Sequence, residues 1–147
     1  MIQKSYDNNS EGSLYIVPTP IGNKSDITLR GIEILKSVDI IYAEDTRTSS
    51  ILLNMFDIKC SLKSCHLFNE SKIKLNVVNE LKSGKNIALI TDQGTPIISD
   101  PGYKTVKYVS DRGFNVVALP GANAFVPALI TSGIAPQPFL FYGWLLL

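Results

Sequence analysis

Five strand-like segments alternate with five helix-like segments along this chain. The alternation predicts an α/β domain: a parallel sheet with helices on both faces and right-handed crossovers. Two further observations point the same way. Ile87 to Ile90 is apolar without alternation, as in a strand covered on both faces. Loops bearing glycine and proline also follow three of the strand-like segments: PTPIGN (Pro18 to Asn23), TDQGTP (Thr91 to Pro96) and LPGANA (Leu119 to Ala124). In open α/β sheets, ligands sit beyond the carboxyl ends of the strands.

Leu14 to Val17 reads as the first strand. Ser25 or Asp26 can cap the helix that follows, whose Leu29, Ile32, Leu35 and Val38 recur every three residues. Asp39 to Ala43 is the second strand and runs into AEDTR. Thr46 or Thr48 can cap a second helix, with Ile51, Leu52, Met55 and Phe56 on one face. Cys65 to Phe68 reads as a brief third strand. Asn69 to Ser83 is a third helix: Ile73, Val77 and Leu81 share a face, Glu70 and Lys74 can pair one turn apart, and Gly84 stops it.

Ile87 to Ile90 is the fourth strand. Asp100 is a favoured cap and Pro101 suits a first helical position, so a fourth helix begins there. Tyr103, Val106 and Val109 or Ser110 set its inner face, and Gly113 ends it. Val116 to Leu119 is the fifth strand. A last helix runs from about Ala122 to Ser132, with Gly133 as its stop. Pro127 must lie in its first turn, because deeper in the helix it would cause a kink.

Composition narrows the class. With 147 residues, 45% hydrophobic and 18% charged, the chain reads as one folded domain with a substantial core. A net charge of +1 argues against a strong, self-sufficient nucleic-acid surface and leaves weak or shared RNA contacts open. Cys60 and Cys65 lack a second Cys or His pair, so they make no zinc site and read as reduced thiols of a cytoplasmic protein. No apolar run reaches the length of a membrane span. Met1 to Gly12 is polar, has no signal-peptide core and reads as a flexible tail (1–12), which leaves 13–143 as the domain.

Each Gly- and Pro-bearing loop has an ordinary explanation, since turns use these residues routinely. Three at the same edge of one sheet favour a shared pocket. The first is neither GxGxxG nor a P-loop, so a dinucleotide reading is weak. AEDTR sets Glu44, Asp45 and Arg47 just past a strand, either as a polar wall that orients a substrate hydroxyl or as an exposed cap with a surface ion pair. Asp92 suits a ligand hydroxyl or a positive charge, or a turn that bonds its own backbone. His66, the single histidine, has no partner pattern for a triad and reads as structural. Trp144 and Leu145 to Leu147 read as an interface or an unfinished core element, not a cofactor box.

Three stretches carry a family resemblance: LYIVPTPIGNKSDITLRGIEILKSVDIIYAEDTRTSSILL, ALITDQGTPIISDPGY and ALPGANAFVPALITSGIAPQPFLFYG. Together they resemble the small-subunit ribosomal RNA ribose 2′-O-methyltransferases, a branch of the tetrapyrrole-methylase-like superfamily. PTPIGN with AEDTR nearly separates this branch from methylases of tetrapyrrole rings. The resemblance implies a first domain with a five-stranded parallel sheet of order 3-2-4-1-5, and S-adenosylmethionine in a cleft shared with a second domain. It implies cofactor contacts at Asp92, Gln93, Gly94, Thr95 and Pro96, at Asn123 and Ala124, and at Pro20 and Gly22.

Gln93 departs from the small residue expected there, and either narrows the pocket or adds an amide contact. The implied substrate is a cytidine ribose of 16S ribosomal RNA in the small subunit. Glu44, Asp45 and Arg47 are the candidates for handling its proton, and no metal is required. Residues 144–147 would then begin a linker to a second domain. The expectation for the chain by itself is an inactive part that binds the cofactor weakly and forms a homodimer. A non-catalytic self-associating fragment and a small-molecule methylase are the alternatives.

Overall fold

The computed structural model describes residues 11–143. Trp144 and Leu145 to Leu147, the expected linker, lie outside the described residues, as does most of the expected tail. Five strands, β1 (Leu14–Ile16), β2 (Ile40–Ala43), β3 (Ser61–Ser64), β4 (Ile87–Ile90) and β5 (Val116–Ala118), form one sheet. All pairs are parallel and the order is β3-β2-β4-β1-β5, as the resemblance implies.

The register sets Ile40, Ile87, Leu14 and Val116 in one row across four strands. That row faces α3 (Glu70–Lys82) and α4 (Tyr103–Ser110), where Val77, Leu81 and Val109 are buried against it. One residue further along, Ile41, Ala88 and Val117 face α1 (Leu29–Ser37) and α2 (Thr46–Met55), packing with Leu35 and Leu53. Both faces are therefore covered, which explains the unbroken apolar run of β4. The helix α5 (Phe125–Thr131) contains no buried residue. Gly12, assigned to the tail by sequence, is buried, and its N–H donates to the Leu81 carbonyl at 2.9 Å.

Several local expectations are corrected. The third strand is Ser61–Ser64, not Cys65 to Phe68. Its burial alternates because it is an edge strand, while Leu67 and Phe68 are exposed. Thr28 caps α1 in place of Ser25 or Asp26, which belong to a separate 3-10 turn, Lys24–Asp26, capped by Asn23. Asp45 caps α2 in place of Thr46 or Thr48. The inner face of α2 is Ser49 and Leu53, leaving Ile51 and Met55 exposed.

Glu70 does not pair with Lys74. Its carboxylate is buried and accepts from the Thr105 N–H, while the Lys74 ammonium lies over the Tyr108 ring. Gly102, not Asp100, stands before α4, and Tyr103 is exposed. The last helix begins at Phe125 instead of Ala122, with Pro127 in its first turn as required. Among the described residues no helix is long and apolar enough to cross a membrane.

Candidate functional site

The carboxyl ends of β1, β4 and β2 are tied together. Thr19 and Gly94 exchange backbone hydrogen bonds of 2.9 and 3.0 Å, an isolated antiparallel bridge between two loops. The Thr19 hydroxyl donates to the Thr91 carbonyl at 3.0 Å, and the Thr91 hydroxyl donates to a Glu44 carboxylate oxygen at 2.7 Å. Thr19 and Thr91 are buried, so these bonds satisfy hydroxyls that would be costly to leave unpaired.

The loop after β5 joins the same rim. The Thr95 hydroxyl donates to the Ala122 carbonyl at 2.9 Å. Gly121 lies so near Pro18 that an added Cβ would sit 2.7 Å from the proline Cβ, closer than real side chains approach. The three loops singled out by sequence thus meet along one edge of the sheet.

Two clefts open there. The larger, about 430 Å³, is walled by Gln93, Gly94 and Thr95 on one side and by Asn123, Ala124 and Phe125 on the other, with Ile21, Ile98, Asp100 and Phe141 completing it. Phe125 and Phe141 have ring centroids 5.3 Å apart and make an aromatic wall. Gly94 holds φ +85°, a left-handed conformation suited to glycine, and an added Cβ would come 3.2 Å from Ile21. The smaller cleft, about 220 Å³, lies between Pro20, Gly22 and Lys24, the start of α2, and Thr91 to Gln93.

Gln93 belongs to both clefts. Of the cofactor contacts expected from sequence, Gln93, Gly94, Thr95, Asn123 and Ala124 meet at the larger cleft. Pro20, Gly22 and Asp92 meet at the smaller. Pro96 is buried and lines neither.

Glu44, Asp45 and Arg47 stand at the end of β2 without lining either cleft. The Asp45 carboxylate accepts from the Arg47 backbone N–H at 2.8 Å and pairs with the Arg47 guanidinium at 2.7 Å. The hydrogen bond from the Arg47 side chain holds the Asp45 carboxyl down to about 2. Asp92 and Asp100 shift the other way. Burial, aided by the Glu44 charge nearby, raises both above the ordinary carboxylate range. Asp92 also accepts from the Asp45 N–H at 3.3 Å.

Ile97, between these carboxylates, holds φ +83°, a strained conformation for a β-branched residue that is offset by packing of its side chain on the core. His66 lies beyond β3, edge-on to Phe68, and lines neither cleft. Cys60 and Cys65 are both free thiols. No group of three His, Cys, Asp or Glu residues able to hold a metal ion occurs among the described residues.

Sequence reasoning missed Ser49 and put Ile51 and Leu52 on one apolar helix face with Met55 and Phe56, whereas Ser49, Ile51 and Leu52 line the smaller cleft. A signal was present. Ile51 and Met55 do not share a helix face with Leu53, so α2 carries two competing apolar stripes, only one of which the sheet covers.

The chain matches the profile of the Tetrapyrrole (Corrin/Porphyrin) Methylases over residues 13–139. It is 54% identical over 144 residues to the Ribosomal RNA small subunit methyltransferase I of Bacillus subtilis (strain 168), covering 97% of this chain and 49% of that protein. It is 46% identical over 145 residues to the protein of the same name from Escherichia coli O157:H7, covering 99% of this chain and 51% of that one. The chain thus spans about half the length of these curated relatives. Among solved structures, the uroporphyrin-III-C-methyltransferase of Thermus thermophilus superposes with a TM-score of 0.64 at 18% identity, over 84% of this chain and 54% of that one, a likeness of fold. Sheet order, profile and relatives agree, and the chain belongs to the tetrapyrrole (corrin/porphyrin) methylase family.

Proposed function

We propose that this chain is part of a cytoplasmic enzyme that uses S-adenosylmethionine to methylate a cytidine ribose 2′-hydroxyl in 16S ribosomal RNA of the small subunit. The observation that carries this reading is the pair of clefts sharing Gln93, which lets a donor and an acceptor meet across one side chain. The relatives, named as small-subunit ribosomal RNA methyltransferases, supply the RNA class.

The residues of the larger cleft fit the cofactor. Phe125, Phe141 and Ile98 offer apolar walls for an adenine, Asn123 and Thr95 offer polar contacts, and Gly94 allows close backbone approach. Asp92 and Asp100, raised by burial and like charge, favour a cation beside them. When bound, S-adenosylmethionine supplies a methyl group already activated by its positive sulfur.

The remaining work falls to this chain. Asp92, the more basic for being raised, takes the proton of the acceptor hydroxyl. Glu44 is held in place beside it by the Thr91 hydroxyl. Asp45 caps α2 and orients Arg47, whose exposed guanidinium suits an RNA phosphate.

The test is transfer of a radiolabelled methyl group to small ribosomal subunits, by this chain and by a version as long as its relatives. The long version should form 2′-O-methylcytidine, and the chain alone should show weak cofactor binding and little transfer. Label in neither reaction sinks the RNA assignment, and label on a base sinks the ribose assignment. Exposed Phe139, Leu140, Phe141 and Tyr142 support self-association of the isolated chain as a homodimer.

A further inference from the structure

Resting on the reading just given, we infer that a groove between α3 and α4, outside both clefts, carries the phosphate backbone of the RNA strand as it leaves the site. The groove holds about 210 Å³ and is lined by Lys74 of α3 and by Tyr103, Lys104, Lys107, Tyr108 and Asp111 of α4 and its end. Its walls thus hold three ammonium groups and one carboxylate. The Lys74 ammonium lies 4.9 Å from the centre of the Tyr108 ring, and the Arg112 guanidinium lies 3.2 Å from the same ring. Tyr108 therefore gathers two cations without neutralising either.

The fold leaves these charges uncompensated. Glu70 stands one turn before Lys74, the favoured place for an acidic partner, but it is buried and accepts from the Thr105 N–H instead. Glu80, the other acid of α3, is held by Lys63 and the Tyr42 hydroxyl. No acid lies within α4, and Asp111 just past it pairs with Lys107. Among the described residues, Lys74, Lys104 and Arg112 make no ion pair. The whole chain has 14 basic and 13 acidic residues, so its near-neutral total conceals a cationic flank.

Position selects the anion. Asp100 lines the larger cleft and Tyr103 lines the groove three residues later, so their Cα atoms are about 11 Å apart at most. A strand that extends out of the clefts meets the groove within a few nucleotides. Tyr103 is 62% exposed and offers a ring on which an unstacked base can lie. A recessed slot beside such a ring suits a single strand better than a flat lipid surface. Contacts of this kind position a strand without reading its sequence.

The experiment is fluorescence anisotropy of a labelled single-stranded RNA dodecamer, titrated with the whole chain at several salt concentrations. Wild type should bind, with log affinity falling as log salt rises. Lys74→Gln with Lys104→Gln should flatten that slope by about 1.4, because each phosphate contact on a single strand contributes about 0.7. Lys104→Gln alone should flatten it by half as much at an unchanged melting temperature, since Lys104 is exposed and unpaired. Lys36→Gln with Lys59→Gln removes the same charge near the amino ends of β2 and β3 and should leave the slope unchanged.

No binding by the wild type, an unchanged slope in the groove variants, or an equal change in the control pair overturns the inference. So does a loss of binding to acidic phospholipid vesicles in the groove variants with RNA binding intact. Calorimetry with S-adenosylmethionine runs in parallel. Donor heat with an unchanged slope overturns the groove alone, and no donor heat with the expected change of slope overturns the methyltransferase reading alone.

Discussion

A carboxylate oxygen of Glu70 accepts a hydrogen bond from the backbone N–H of Thr105 at 3.0 Å, between two buried residues. Thr105 is the third residue of α4, and Gly102 before that helix has no side chain to cap it. Glu70, at the start of α3, therefore caps α4 from a neighbouring helix. The helix so anchored follows the loop that carries Ile98 and Asp100 on the larger cleft. Glu70→Ala should cost about 2–3 kcal/mol, the range for a lost bond to a charged group. Glu70→Gln keeps a carbonyl acceptor and should cost less than half as much. Urea unfolding midpoints decide it, and equal losses would mean that the charge matters and not the acceptor.

Asp92 gives a pH dependence with a definite sign. Its folded-state carboxyl is raised, chiefly by burial. The proton therefore binds the folded protein more tightly, and this contribution is present below the ordinary carboxylate pKa and fades as pH rises through the folded value. Asp92→Asn, uncharged throughout, should melt higher than wild type at pH 7 and lose that advantage near pH 3. A variant less stable at pH 7 contradicts this. On the proposed function, the same change in a version as long as the relatives should abolish methyl transfer.

Gly121 faces Pro18 with no room for a methyl group. Gly121→Ala should destabilise the fold by about 1–3 kcal/mol, the usual cost of overpacking, and push apart the loops after β1 and β5. Thermal melts and calorimetric titration with S-adenosylmethionine should both register the change. Wild-type values in both would show that this contact is not what closes the rim.

Phe139, Leu140, Phe141 and Tyr142 are all exposed. Sedimentation velocity should show a dimer whose fraction grows with concentration, and Phe139→Ser with Leu140→Ser should shift it toward monomer. A clean monomer across the concentration range contradicts the expectation.

What was legible in the sequence follows physical lines. β4 was readable to the residue because a strand buried on both faces must be apolar at every position. β3 was missed because an edge strand is free to carry Ser61, Lys63 and Ser64, so no hydrophobic signal marks it. Asp45 was read as chemistry and Thr46 or Thr48 as the cap, although Asp caps helices as readily, and its bond to the Arg47 N–H decides the matter.

The gathering of three loops was foreseeable from the rule that connects strand ends with ligands. The division of their rim into two clefts was not. It depends on which way α2 turns Ser49, Ile51 and Leu52, and helical periodicity by itself does not decide between two faces of similar polarity.

The bridge between Thr19 and Gly94, and the Thr19 bond to Thr91 across 72 residues of sequence, join parts of the chain made far apart in time. Contacts of such long range cannot form until the intervening chain has been made and loop-closure entropy has been overcome. A nascent chain still short of β4 cannot close this rim. The Gly94 amide, bonded to the Thr19 carbonyl at 3.0 Å, should accordingly gain protection from hydrogen exchange only once both loops are in place, which makes it a reporter of rim assembly.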